Sequence, residues 1–289
     1  MRRWHLLVGA LFLGLAACGS SQSTPDDSSV DTARSFYPES SVTGSVLVIG
    51  DWGAGTAEQE EVASQMESYT GSNPVQAILT TGDNFYLDDT DQMLQPFRWA
   101  EEAGIEFWLT WGNHDVESND RIEAVNEVFD TPPRWATIGW GETNILILDS
   151  TDVGSRAQLA YLEAEMERIE APTIVVLHHP PYSCSAHVGD ESVRDEWLSQ
   201  FDEDVVLVLS GHAHNYQRFE SDGLPLIVSG GGGQALQDLR ACPAGHPALL
   251  VGQETFNFLI LRQDTTSLTV IAVDRAGETI DEVAIPLGD

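Results

Sequence analysis

The chain has 289 residues, enough to bury a sizeable core, and its 42% hydrophobic content excludes wholesale disorder. Against 46 acidic residues stand 13 basic ones, all of them arginine, for a formal net charge of −33. Such a field repels nucleic acid, so no nucleic-acid partner is expected, and an anionic substrate needs local positive charge of the kind bound cations supply.

Residues 1–17 read as an export signal. Arg2 and Arg3 give a positive start, Leu6 to Leu15 give an apolar run too short to remain as a membrane span, and Ala16 and Ala17 precede Cys18. Leu15-Ala16-Ala17-Cys18-Gly19 resembles the bacterial lipobox, which implies lipidation of Cys18 and export to a membrane. Two or three acyl chains anchor stably where one does not. Gly19 after the cysteine fits an outer membrane or cell surface. Residues 18–43 then comprise the lipidated cysteine and a polar tether rich in Ser, Asp, Thr and Pro, and residues 44–289 form one domain.

The domain opens on Ser45 to Ile49, an uninterrupted apolar run of buried-strand character. Ala57 to Tyr69 is expected to be a helix, Ala77 to Thr80 a strand, Asp91 to Ala103 a helix, and Ile105 to Leu109 a strand. Residues 155–170 are strongly helical, and Thr173 to Leu177 and Val205 to Leu209 are further strands. Near the end, Phe256 to Leu261, Ser267 to Val273 and Thr279 to Pro286 follow one another with only turns between them. The alternation predicts an α/β fold, and the last strands predict antiparallel pairing that completes a second sheet. The expected architecture is a four-layer αββα sandwich, two mixed sheets flanked by helices. Cys184 and Cys242 remain in an exported domain, where a disulfide is permitted; the sequence leaves paired and free thiols equally open.

Five apolar runs end in a potential metal ligand: Gly50-Asp51, Gly82-Asp83, Gly112-Asn113-His114, His178-His179, and Gly211-His212-Ala213-His214. Ligands gather at the carboxyl ends of parallel strands, so these tips are expected to converge. Two Asp, one Asn and several His make a mixed oxygen and nitrogen donor set suited to Fe, Zn or Mn. The glycines before the ligands suggest tight turns with unusual backbone angles. Any one of these motifs alone is weak; the ordered set of five is specific. Gly230 to Gly233 lacks the lysine of a P-loop and reads as a backbone turn near the metals, with phosphate binding a minor alternative.

The set resembles the calcineurin-like metallophosphoesterase superfamily over about residues 45–230, and Gly82-Asp83-Asn84-Phe85-Tyr86 resembles the GDxxY signature of its purple acid phosphatases. That resemblance implies a binuclear centre: Fe(III) held by Asp51, Asp83, Tyr86 and His214, and a divalent Fe, Zn or Mn held by Asp83, Asn113, His178 and His212. His178 rather than His179 keeps the family's spacing to Pro180. Asn113, His114 and His187 would contact the substrate, with His114 and His187 as catalytic candidates. The implied activity is acid hydrolysis of small phosphate monoesters. A phosphodiesterase or nucleotidase on the same fold is the nearest alternative, and a non-enzymatic metal-containing surface lipoprotein a more distant one. Oligomeric state and natural substrate are not legible.

Overall fold

The computed structural model of the chain describes residues 44–287. The expected signal peptide, Cys18 and the tether lie outside the described residues. Thirteen strands form two sheets among those residues.

The first sheet is built on β1 (Ser45–Ile49), β2 (Val75–Thr80) and β3 (Glu106–Trp108), which run parallel. Side chains alternate across a strand, and β1 is apolar on both faces because both are covered. Val46 and Val48 point to the layer between the sheets. Leu47 and Ile49 point to the helix layer, where they meet Val62 and Met66 of α1 (Ala57–Thr70). Burying a side chain of this size contributes roughly 1.5–3 kcal/mol. The Thr56 hydroxyl accepts from Gln59 N and caps α1, and the chain leaves the helix at Gly71.

The helix expected over 91–103 is broken. Pro96 has no N–H to donate, so the segment divides into α2 (Thr90–Leu94), a 3-10 turn at Gln95–Phe97 and α3 (Arg98–Ala103). Gly104 ends α3 in the left-handed conformation, φ 70°. Then come α4 (Asn119–Val128), capped by Ser118, and the hairpin β4 (Ala136–Trp140) and β5 (Thr143–Ile147). The helix α5 (Arg156–Arg168) follows, and then the parallel strands β6 (Thr173–Val176) and β7 (Val205–Ser210). β8 (Tyr216–Ser221), β9 (Leu224–Ser229) and β10 (Leu249–Gln253) complete the second sheet, ordered β10-β8-β9-β7-β6-β5-β4.

One expectation is corrected. The last strands, β11 (Asn257–Gln263), β12 (Ser267–Asp274) and β13 (Thr279–Pro286), do not complete the second sheet. They extend the first, through antiparallel pairing of β11 with β1. The physical reason lies in β1, a central strand whose free edge opposite β2 needs a partner. Leu259 and Leu261 of β11 join Val46 and Val48 in the layer between the sheets, against Ile145, Val176, Leu207 and Leu209 of the other sheet. On the outer face of the second sheet, Leu146, Val175 and Val208 pack with Tyr161 and Leu162 of α5. The result is the four-layer sandwich of two mixed sheets.

Candidate metal centre

All five predicted tips lie at one edge of the sandwich, three from the first sheet and two from the second. Their loops are stitched together by backbone bonds: Asp51 N donates to Gly82 O at 3.0 Å, and Gly211 N to His178 O at 3.0 Å. The unusual backbone angles fall mostly on the candidate ligands rather than on the glycines before them. Asp51, Asp83 and His212 have φ of 55°, 51° and 67°, a conformation costing on the order of 1 kcal/mol each and common at functional sites. Among the four glycines that precede candidate ligands, Gly82 alone shares it, at φ 92°. Gly112 serves close approach instead, because a Cβ there would lie 2.3 Å from Asp83 Oδ1.

The side chains form two clusters that share Asp83. In the first, the Tyr86 hydroxyl lies 2.8 Å from Asp83 Oδ2 and 3.1 Å from Asp51 Oδ1, and His214 Nε2 lies 3.3 Å from Asp51 Oδ1 and 3.4 Å from Tyr86. In the second, His178 Nε2 lies 3.1 Å from Asn113 Oδ1, 3.2 Å from His212 Nδ1 and 3.4 Å from Asp83 Oδ1. Asp51, Asp83 and His178 are buried. Two histidines have their other ring nitrogen committed: His178 Nδ1 is 2.8 Å from Thr81 O, and His214 Nδ1 is 2.8 Å from Ala235 O. A carbonyl can only accept, so both Nδ1 atoms carry hydrogen and both Nε2 atoms turn toward the carboxylates.

His179 binds Ser150 Oγ through Nδ1 at 3.0 Å, and its ring lies 4.5 Å from that of His212. His178 is thus the member of the pair that faces Asp83 and Asn113. His114 stands beside Tyr86 with ring centroids 4.6 Å apart, and the exposed His187 lies 4.1 Å from the His212 ring. The Gly230–Gly233 turn packs against Asp51 and the β1 tip, as read from the sequence.

Charge compensation is visible throughout. Burial raises the proton affinity of Asp83, but the adjacent His178 more than offsets this and holds its carboxyl below the usual range. Burial opposes charge on His178, yet Asp83 pushes it up to about 9. Burial and the His178 charge push His212 down. Burial together with the Asp51 and Asp83 carboxylates pushes the Tyr86 phenol far up. A proton on His178 and one on Tyr86 thus occupy places where acceptors converge.

Residues away from the strand tips support these ligands. Asp115, fully buried, accepts from Asn84 N at 2.9 Å, Phe85 N at 3.1 Å, Asn84 Nδ2 at 2.7 Å and Gly112 N at 2.8 Å. It joins the loop bearing Asp83 to the loop bearing Asn113. Ser150 Oγ accepts from His178 N at 3.1 Å and His179 N at 2.8 Å. A disulfide links Cys184 to Cys242. Nothing at the level of strand-tip patterning marks Asp115 or Ser150; the available signal is only that each lies next to a turn between apolar runs.

Residues 44–216 match the calcineurin-like phosphoesterase family. The chain belongs to that family. Purple acid phosphatase 22 of Arabidopsis thaliana is 28% identical over 208 residues, 63% of this chain and 47% of that protein. Purple acid phosphatase 17 of the same plant is 25% identical over 278 residues, 82% of each chain. The chain therefore spans less than half of the first relative and most of the second. A purple acid phosphatase from yellow lupin seeds shares the fold with a TM-score of 0.70 at 17% identity, over 86% of this chain and 55% of that one. This calcineurin-like phosphoesterase is thus purple acid phosphatase-like.

The family implies metal ions, and the donor set fits them. Among the described residues, ligand atoms of Asp51, Asp83 and His178 lie within 4.8 Å of one another, as do those of His178, His179 and His212, and the carboxylate, phenol, amide and imidazole atoms gathered here are types suited to Fe, Zn or Mn. In each of the two clusters that share Asp83, a His is oriented through its second nitrogen by a backbone carbonyl, the arrangement that fixes metal-binding imidazoles. The protons on His178 and Tyr86 stand where a cation of higher charge would satisfy the same acceptors.

Proposed function

We propose that this protein is an acid phosphatase of the purple acid phosphatase type, hydrolysing small phosphate monoesters at a binuclear Fe(III)–M(II) centre. The observation that carries the reading is Asp83, whose two carboxylate oxygens face different clusters: Oδ2 faces Tyr86, and Oδ1 faces His178. Asp51, Asp83, Tyr86 and His214 would hold Fe(III), and Asp83, Asn113, His178 and His212 a divalent Fe, Zn or Mn. Bound there, the ions supply charge neutralisation, Lewis acidity at a phosphoryl oxygen and activation of water.

The chain's own residues do the rest. Carbonyls of Thr81 and Ala235 hold His178 and His214 in the ligating tautomer. Asn113 and His114 are half-buried and His187 is exposed, and these three would meet the entering ester. A ring nitrogen of His114 or His187 holds the proton that the departing alkoxide takes up. His187 has its proton affinity lowered, by partial burial and then by His214, which makes it a readier proton donor when charged.

The test is hydrolysis of p-nitrophenyl phosphate beside bis-p-nitrophenyl phosphate by iron- and zinc-loaded protein. Turnover of the monoester well above the diester supports the phosphatase. The reverse order makes the protein a phosphodiesterase. Two bound metals with no turnover of either ester favour the non-enzymatic reading instead.

A further inference from the structure

His114 sits in a relay that the proposed ligand set does not include. Its Nδ1 lies 3.0 Å from Glu117 Oε2, and Glu117 Oε1 lies 3.5 Å from Arg121 Nε. Arg121 in turn donates to Tyr86 O at 2.8 Å and Leu87 O at 2.6 Å. An exposed ion pair is ordinarily worth little, and His114 and Glu117 are 40% and 44% exposed. Arg121 is different: its side chain is 11% exposed and fixed to two carbonyls of the loop that carries Tyr86. Glu117 is therefore paired through one oxygen, at 3.5 Å, with an anchored guanidinium that also meets the exposed Asp88 at 3.2 Å, and it offers its other oxygen to His114. The segment itself is braced, because Ser118 caps α4 by accepting from Arg121 N.

We propose that Glu117, anchored by Arg121, is a positioning residue for His114. A carboxylate accepts and does not donate, so the hydrogen between the two groups belongs to Nδ1 whatever the ring's charge. Nε2 is then the nitrogen left for the substrate, and the ring is held against Tyr86 beside the centre. The importance of this for hydrolysis rests on the phosphatase reading given above; the placement of the ring does not.

Two measurements on the full chain test it. Long-range proton–nitrogen NMR of the His114 ring reads the tautomer without metal or substrate. It should show hydrogen on Nδ1 in wild type and in Glu117→Gln, which keeps an acceptor oxygen. In Glu117→Ala the hydrogen should move to Nε2. With metals loaded, Glu117→Ala should keep the wild-type metal content and lower kcat for p-nitrophenyl phosphate about tenfold, while Glu117→Gln stays within about threefold. In a His114→Ala background, Glu117→Ala should cost nothing further. An Nδ1 without hydrogen in wild type, or an equal rate loss in the His114→Ala background, overturns the proposal. A tautomer that moves as stated in a protein with no hydrolytic activity upholds the positioning and overturns the phosphatase reading instead.

Discussion

Tyr86 is the residue that separates a purple acid phosphatase from a general phosphoesterase of the same fold. Without metal, burial and two carboxylates keep its proton on, so ionisation requires a cation beside it. If Fe(III) occupies that cluster, phenolate-to-iron charge transfer should give iron-loaded wild type a broad visible band. Tyr86→Phe should lose the band while Asp51, Asp83 and His214 retain iron, measured by absorption beside elemental analysis. Colourless wild type with Fe(III) bound would reject the ligand. Such residues were legible because each closes an apolar run: Asp51, Asp83, Asn113, His178 and His212 all stand where a strand stops. Asp115 and Glu117 were not. Their roles depend on which loop folds against which, and a buried Asp looks like any turn Asp until Asn84, Phe85 and Gly112 are seen to point at it.

At the scale of elements, strands buried on both faces announced themselves as apolar runs, and β1, β2, β6 and β7 fell where expected to within a residue or two. α4 and the β4–β5 hairpin did not, because α4 is mostly polar and the hairpin strands mix Thr, Gly and Asn with apolar residues. The sheet that receives the last strands was illegible as well. Antiparallel pairing is local and readable, whereas the choice of sheet is made by the edge of β1, some two hundred residues earlier in the chain. The disulfide was open in the sequence and is formed in the structure, tying the loop that carries His187 to the loop between β9 and β10 across a separation of 58 residues. Cys184 is further held by Gln217 at 2.6 Å and by Arg240 N at 2.7 Å. Loop-closure entropy gives such a link about 4 kcal/mol at most. Cys242→Ser should therefore lower the melting temperature and raise KM through a looser His187, with both metals retained. Unchanged thermal stability in calorimetry would contradict this.

At the scale of the whole molecule, the proposed centre joins the two sheets, since three of its strand tips come from one and two from the other. Metal removal should therefore loosen the sandwich as well as stop hydrolysis. The net charge of −33 makes bound cations the natural means of attracting an anionic ester. No helix among the described residues is long and apolar enough to cross a membrane. We propose that Cys18 carries the lipid that attaches the chain to a membrane; Cys18→Ser should release it, and a variant that still sediments with membranes after a high-salt wash would contradict that. The most direct test of the central claim is the metal content and turnover of Asp83→Asn. If one carboxylate serves both ions, wild type binds two metals per chain and hydrolyses p-nitrophenyl phosphate, and the variant binds fewer than two with turnover abolished. Two tightly bound metals and normal turnover in Asp83→Asn would contradict the account.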